Sequence, residues 1–152
     1  MALLNYTTKI EAEQTIGELQ RMLSKYGVVG MLTEYDGRNV SSVSFQLLIN
    51  DRKVAYKLPC NWRAVLQVFK QLNANRKRVN GRIQDRIEDS EEQAIRVAWR
   101  VIKDWVEAQL ALVEINMATI PQIFLPYTIM RDGKTLTEHI ENNPGFLLGN
   151  GE

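Results

Sequence analysis

Cysteine and histidine are almost missing from this chain, which holds one of each, Cys60 and His139. A lone cysteine excludes an internal disulfide and suits a reducing cytoplasm. One cysteine and one histidine cannot supply the ligand set of an ordinary zinc site. Charge of one sign is not in excess: 19 Lys and Arg stand against 18 Asp and Glu, a formal net charge of +1. No global field therefore draws the protein onto DNA or an anionic membrane, and any nucleic-acid contact has to rest on a local patch. No apolar run approaches the roughly 18 residues of a membrane-spanning helix. The opening MALLNYTTKIEAEQ turns polar early and lacks the apolar stretch of a signal peptide. Gly27 and Gly30 belong to no G-x-G-x-x-G or G-K-[ST] pattern, so an NTPase or dinucleotide enzyme is not expected. These absences point to a soluble cytoplasmic protein that is not an enzyme, with no cofactor, no metal and no membrane partner.

What is present describes an α+β fold. The 152 residues, 45% of them hydrophobic, suffice for one domain with its own core. Thr8-Lys-Ile-Glu11 has the pattern of a capping box. Behind it Ile16, Leu19, Leu23 and Tyr26 recur at helical spacing up to Gly27, a helix of about 9–26. The period then changes. A β-prone run at 28–35 ends in the turn Asp36-Gly37-Arg38-Asn39. Val43, Phe45, Leu47 and Ile49 alternate with Ser42, Ser44, Gln46 and Leu48, and Val54, Tyr56 and Leu58 alternate again after Asn50-Asp51. Three strands with short turns form an antiparallel meander, whose polar face would carry Ser42, Ser44 and Gln46. Pro59 ends it, and Asn61 caps a second helix of about 62–73.

Ser90-Glu-Glu-Gln93 is a second capping-box pattern and opens the longest helix, about 91–117. Its apolar positions, among them Trp99, Trp105, Val101 and Leu112, cover most of the circumference. Such a helix is central or packs against a second chain, so a homodimer through 91–117 is one expectation. Arg100/Asp104 and Lys103/Glu107 are opposite charges one helical turn apart. A short helix begins at Thr119-Ile120-Pro121, an extended piece is expected at 127–130, and Thr135-Leu-Thr-Glu138 caps a last helix ending near Asn142. The meander would be packed by the N-terminal helix, the second helix and the long C-terminal helix. The chain divides into an α-β-β-β-α unit of about 5–74, a basic connection of about 75–89, a helical unit of about 90–146 and a loose tail, 147–152, around one shared core. Phe146, Leu147 and Leu148 could dock on a neighbour.

Two stretches, TEYDGRNVSSVSFQLLINDRKVAYKLPCNWRAV and AIRVAWRVIKDWVEAQLALVEINMATIPQIFLPYTIMRDGKTLTEHI, together resemble a group of small proteins encoded by bacteriophages, prophages and other mobile elements. The resemblance runs from about Asn5 to Phe146 and is weakest in the basic connection. It implies a setting, the cytoplasm of a bacterial host cell, and no activity or catalytic residue.

The functional lead is the basic connection. Between Lys70 and Arg86 it and the end of the second helix hold Lys70, Arg76, Lys77, Arg78, Arg82 and Arg86 against one acid, Asp85. Cations at this density contact phosphates, while Asn73, Asn75, Asn80 and Gln84 add hydrogen bonds. Arg63, Arg96 and Arg100 would extend the patch if their helices lie close. The bland reading is a solvated connection neutralised by the acids at 88–92. Other constellations have bland readings that weigh more. Cys60 and His139 form a nucleophilic pair only if the fold joins them. Glu88, Asp89, Glu91 and Glu92 suit Mg2+ but equally suit a helix start. Trp62, Trp99 and Trp105 could stack on bases, though Trp99 and Trp105 sit among aliphatic residues. The leading expectation is a non-enzymatic phage or mobile-element accessory protein that binds nucleic acid through these six cations. Two alternatives use the same residues: an inhibitor of a bacterial defence system, anti-CRISPR-like, acting by contact with a host protein, and a protein that sequesters a nucleotide signal.

Overall fold

A computed structural model describes residues 3–145. The chain is α+β, with a three-stranded antiparallel sheet and a long helix toward the C-terminus. The elements run α1 (Ala12–Ser24), β1 (Val28–Asp36), β2 (Asn39–Ile49), β3 (Arg52–Lys57), α2 (Trp62–Ala74), β4 (Arg78–Val79), β5 (Arg82–Ile83), α3 (Glu91–Glu114), α4 (Ile120–Phe124) and α5 (Leu136–Asn142). They fall into two compact units: Met1–Leu19 with Cys60–Val106, and Gln20–Pro59 with Glu107–Glu152. The division expected at the basic connection thus lies inside the first unit. The expected tail at 147–152, and Phe146, Leu147 and Leu148, lie outside the described residues.

In the second unit the strands pair in chain order, with Phe45 opposite Met31 on one side and Tyr56 on the other. The alternation read from the sequence sends Val43, Phe45 and Leu47 into the core. Phe45, Tyr56 and Phe124 form an aromatic cluster with ring centroids 5.2–6.0 Å apart. Edge-on and tilted rings of this kind add attraction beyond the area they bury. Asn50 and Asp51 both take positive φ, 51° and 63°, as a two-residue hairpin turn requires. The extended piece expected at 127–130 forms only in part: Tyr127 closes a 3-10 turn over Leu125–Tyr127, and the chain is extended at Thr128 and Ile129, where the Ile129 amide donates to the Ala55 carbonyl at 2.8 Å. Thr119 and Thr135 form full capping boxes with Gln122 and Glu138.

The face that carries Ser42, Ser44 and Gln46 is open only in part, at Gln46. Ser42 and Ser44 are both only 6% exposed, so their face is not simply solvated. Both are small residues on the central strand, overtopped by cross-strand neighbours: Glu34 beside Ser42, Leu32 and Lys57 beside Ser44. Ser42 Oγ donates to the Glu34 carboxylate at 2.9 Å.

In the first unit Phe69 of α2 and Ala94 and Val97 of α3 make the buried centre, with Trp62, Leu66 and Ile87 against it. Asn61 caps α2 by accepting from the Ala64 amide at 3.3 Å, as its position before the helix suggested. The capping box expected at Thr8 does not form. Thr8 Oγ1 accepts from the Ile10 amide at 3.2 Å, and α1 starts later, at Ala12. The cause lies in Gln93, whose side chain donates to the Tyr6 and Thr8 carbonyls at 3.1 and 2.9 Å and holds this stretch out of the helix. Gln93 does not complete its own box: Ser90 Oγ accepts from the Gln93 amide, but Gln93 Oε1 accepts from Arg96 Nε at 3.0 Å. Arg100 likewise pairs with Glu18 rather than with Asp104. Asp104 instead accepts from Asn5 at 2.7 Å.

Helix α3 ends at Glu114, three residues before the expected 117, and Asn116 with positive φ (59°) lies in the turn that follows. Its exposed positions are Glu91, Glu92, Glu107, Ala108, Ala111 and Glu114, with no large apolar side chain among them. Trp99 is buried and Val101, Trp105 and Leu112 are half-buried, while Ile115 and Met117, inside the expected 91–117, are 62% and 71% exposed.

Candidate functional site

The basic connection is a β-hairpin. Arg78 pairs with Ile83 and Val79 with Arg82, around a two-residue turn at Asn80-Gly81. Positive φ at both, 51° and 80°, is the geometry that Asn-Gly adopts at low cost. The Gln84 amide donates to the Lys77 carbonyl at 3.0 Å, and the Lys77 amide to Gln84 Oε1 at 3.1 Å, which adds one rung. Every residue from Ala74 to Arg86 is exposed, so the ribbon stands clear of the core.

A clasp built on one side chain fixes its stem. Asn73, in the last turn of α2, donates through Nδ2 to the Ile87 carbonyl (2.9 Å) and the Asp89 carboxylate (3.1 Å). Its Oδ1 accepts from the Ile87 amide at 2.9 Å. The amide thus imitates a strand partner for the segment that leaves the hairpin. Ile87 packs on the Phe69 cluster just beyond. The Asn73 hydrogen bond, with Arg86 nearby, holds the Asp89 carboxyl below its ordinary value.

The six cations separate into two groups. Arg86 pairs with Asp89 at 3.3 Å, and Arg76 Nε donates to the Asn73 carbonyl at 3.2 Å, so both belong partly to the stem. Lys70 on α2 and Lys77, Arg78 and Arg82 on the ribbon are exposed, and no protein group among the described residues engages their side-chain nitrogens. Two of the three arginines suggested as an extension are engaged elsewhere. Arg96 is taken by Glu11 and Glu88, and Arg100 by Glu18, with side chains only 16% and 13% exposed. The Arg63 guanidinium lies 4.5 Å from the centroid of the Trp62 ring.

Beside the stem lies an open cleft of about 750 Å3, where Tyr6, Leu72 and Ile87 meet Lys9, Arg76 and Arg86. Asp85 and Glu88 line it too, which lowers its appeal to a phosphate. Lys9 is engaged with Glu88 at 3.2 Å.

The other constellations lose their chemistry. Burial pushes the Cys60 thiol up to about 12, so it is no thiolate at neutral pH. His139 Nε2 is 3.0 Å from the Asp132 carboxylate, in an exposed pair beside a turn. Among the described residues no three Asp, Glu, His or Cys side chains gather where they could hold a metal ion. The acids at 88–92 are spread instead: Glu88 to Lys9 and Ser90, Asp89 to Asn73 and Arg86. Trp99 is fully buried, as its aliphatic neighbours suggested, and Trp62 is half-buried. Among the described residues no helix is long and apolar enough to cross a membrane.

Fold and site together define an α+β protein that presents a short basic ribbon on a stem tied through Asn73. No family model, curated protein or solved structure matches the chain.

Proposed function

We propose that this chain is a non-enzymatic accessory protein that binds nucleic acid through the β4–β5 ribbon. The observation that carries this reading is the state of Lys77, Arg78 and Arg82: exposed, close together and unengaged by the protein's own acids. Long cationic side chains without partners are free to exchange counterions for phosphates, which yields affinity that falls steeply with salt. Lys70 adds a fourth such charge on the adjoining helix. The mobile-element setting rests on the sequence resemblance alone.

Short DNA and RNA strands, single and paired, titrated at two salt concentrations test the proposal. Binding at low salt is expected. Lys77→Ala/Arg78→Ala/Arg82→Ala should weaken it for every sequence and flatten the salt slope by roughly three. No binding at low salt, or binding that survives this variant unchanged, sinks the proposal.

A second reading draws on Val79 and Ile83, which are 53% and 56% exposed on the same ribbon. Apolar side chains among arginines also suit a protein contact, so an inhibitor of a host defence protein uses the same surface. A pull-down from host lysate separates the two: capture that resists nuclease favours the inhibitor, and capture that nuclease abolishes favours nucleic acid.

A further inference from the structure

We infer that the ribbon is shaped for the major groove of double-helical DNA, an inference that rests on the nucleic-acid reading above. The argument begins with how the cations are placed. Cross-strand partners share a face of a ribbon, and successive residues alternate between faces. Lys77, Val79, Arg82 and Gln84 therefore lie on one face, and Arg78 and Ile83 on the other. Both faces carry a cation and both carry one exposed β-branched apolar side chain. A flat anionic surface, or a strand laid along one side, would meet only half of this. A groove has a phosphate wall on each side and meets all of it.

Dimensions select among grooves. The major groove of B-form DNA is about 12 Å wide and about 8.5 Å deep and admits a two-stranded ribbon, whereas the minor groove is only about 6 Å wide. At about 3.4 Å per residue, that depth takes two to three residues from each arm. Arg78, Val79, Arg82 and Ile83 then enter with the Asn80-Gly81 turn at the floor, and Lys77 stays at the rim near the backbone. Asp85, Glu88 and Asp89 follow the ribbon in sequence at its stem and remain outside. The turn at the tip is only two residues long, because Asn80 and Gly81 both take positive φ, 51° and 80°. Once inside, Arg82 and Arg78 reach the phosphate walls on either side, as the expected salt slope requires, while Val79 and Ile83 suit thymine methyl groups. The major groove of A-form RNA is deep and narrow and closed to such a ribbon.

The test uses the full chain and one sequence prepared as a DNA duplex, as its single strand and as an RNA duplex, followed by fluorescence anisotropy. The DNA duplex should bind about tenfold more tightly than either of the others. Netropsin, which fills the minor groove, should leave binding unchanged. Replacing thymine by uracil removes the methyl groups and should weaken the duplex two- to threefold or so. That loss should vanish in Val79→Ala/Ile83→Ala, whose exposed sites leave the folded spectrum by circular dichroism intact. Equal or tighter binding of the single strand or the RNA duplex, or displacement by netropsin, overturns the groove inference and leaves the nucleic-acid reading standing. Absence of binding to all three at low salt overturns both.

Discussion

The chain contains two hairpins with the same kind of turn and opposite fates. Asn50-Asp51 joins β2 to β3, and Asn80-Gly81 joins β4 to β5, with positive φ at all four residues. The first hairpin buries Phe45, Leu47 and Tyr56 at 0%, 6% and 2% exposure, while the second leaves Val79 and Ile83 more than half exposed. Burial of large apolar side chains stabilises the first. The second has only its turn, a few backbone rungs and the clasp on Asn73. A hairpin that contributes nothing to a core is free to carry charges on both faces, and this one does.

The largest expected effect tests the packed side of this contrast. Phe45→Ala removes a fully buried ring from the cluster with Tyr56 and Phe124 and should destabilise the fold by about 3–5 kcal/mol. Ile83→Ala in the ribbon should change stability by no more than about 0.5 kcal/mol. Urea unfolding measures both. Similar losses from the two would mean that the ribbon is packed against something and that the contrast is false.

The next effect is intermediate and sits at the stem. Asn73→Ala removes both halves of the amide and leaves the half-buried Ile87 amide and carbonyl without protein partners, a cost of about 1–3 kcal/mol. Amide exchange should quicken at Lys77, Gln84 and Ile87 and stay unchanged along β2 and β3. Uniform acceleration across the chain would show that Asn73 supports the whole fold rather than the ribbon.

The two hairpins were not equally legible in the sequence. In β2 and β3 the period of two runs long enough to announce a buried face, so strands, turn and core residues could be read directly. In 76–84 the strands are two residues long and no alternation develops, since neither face is buried. The cations could be named from the sequence, and the Asn-Gly dipeptide carried the missing signal. What local patterns could not give was the long-range competition for side chains. Gln93 has the sequence of a capping residue, yet it serves two carbonyls more than 80 positions away. Arg96 and Arg100 read as free cations, and only the fold brings Glu11, Glu18 and Glu88 to them. The same holds for the stem, because nothing local says that Asn73 will meet Ile87 and Asp89.

The smallest expected effect concerns acid and the way the ribbon is tied down. The β2–β3 hairpin is held by side chains such as Phe45, Leu47 and Tyr56, none of which titrates in the acid range. The stem of the ribbon includes the Asp89 carboxylate, which accepts from Asn73 and faces Arg86, and both favour its charged form. The folded value is thus lower than the ordinary aspartate value of about 3.9. The sign follows: the contribution is complete above the ordinary value and is lost as pH falls through the folded one. Acidification should therefore loosen the ribbon while leaving the packed hairpin intact. Exchange protection at Gln84 and Ile87, corrected for the intrinsic pH dependence, should fall before protection at Phe45 and Tyr56. Asp89→Asn should flatten that response, because its side chain can still accept from Asn73 but no longer titrates. The Asp89 side chain is a quarter exposed and its Arg86 partner is mostly in solvent, so the change is modest and added salt should shrink it further. A ribbon that keeps its protection through the acid range, or an Asp89→Asn variant that titrates like the parent, would show that hydrogen bonding alone sets the clasp.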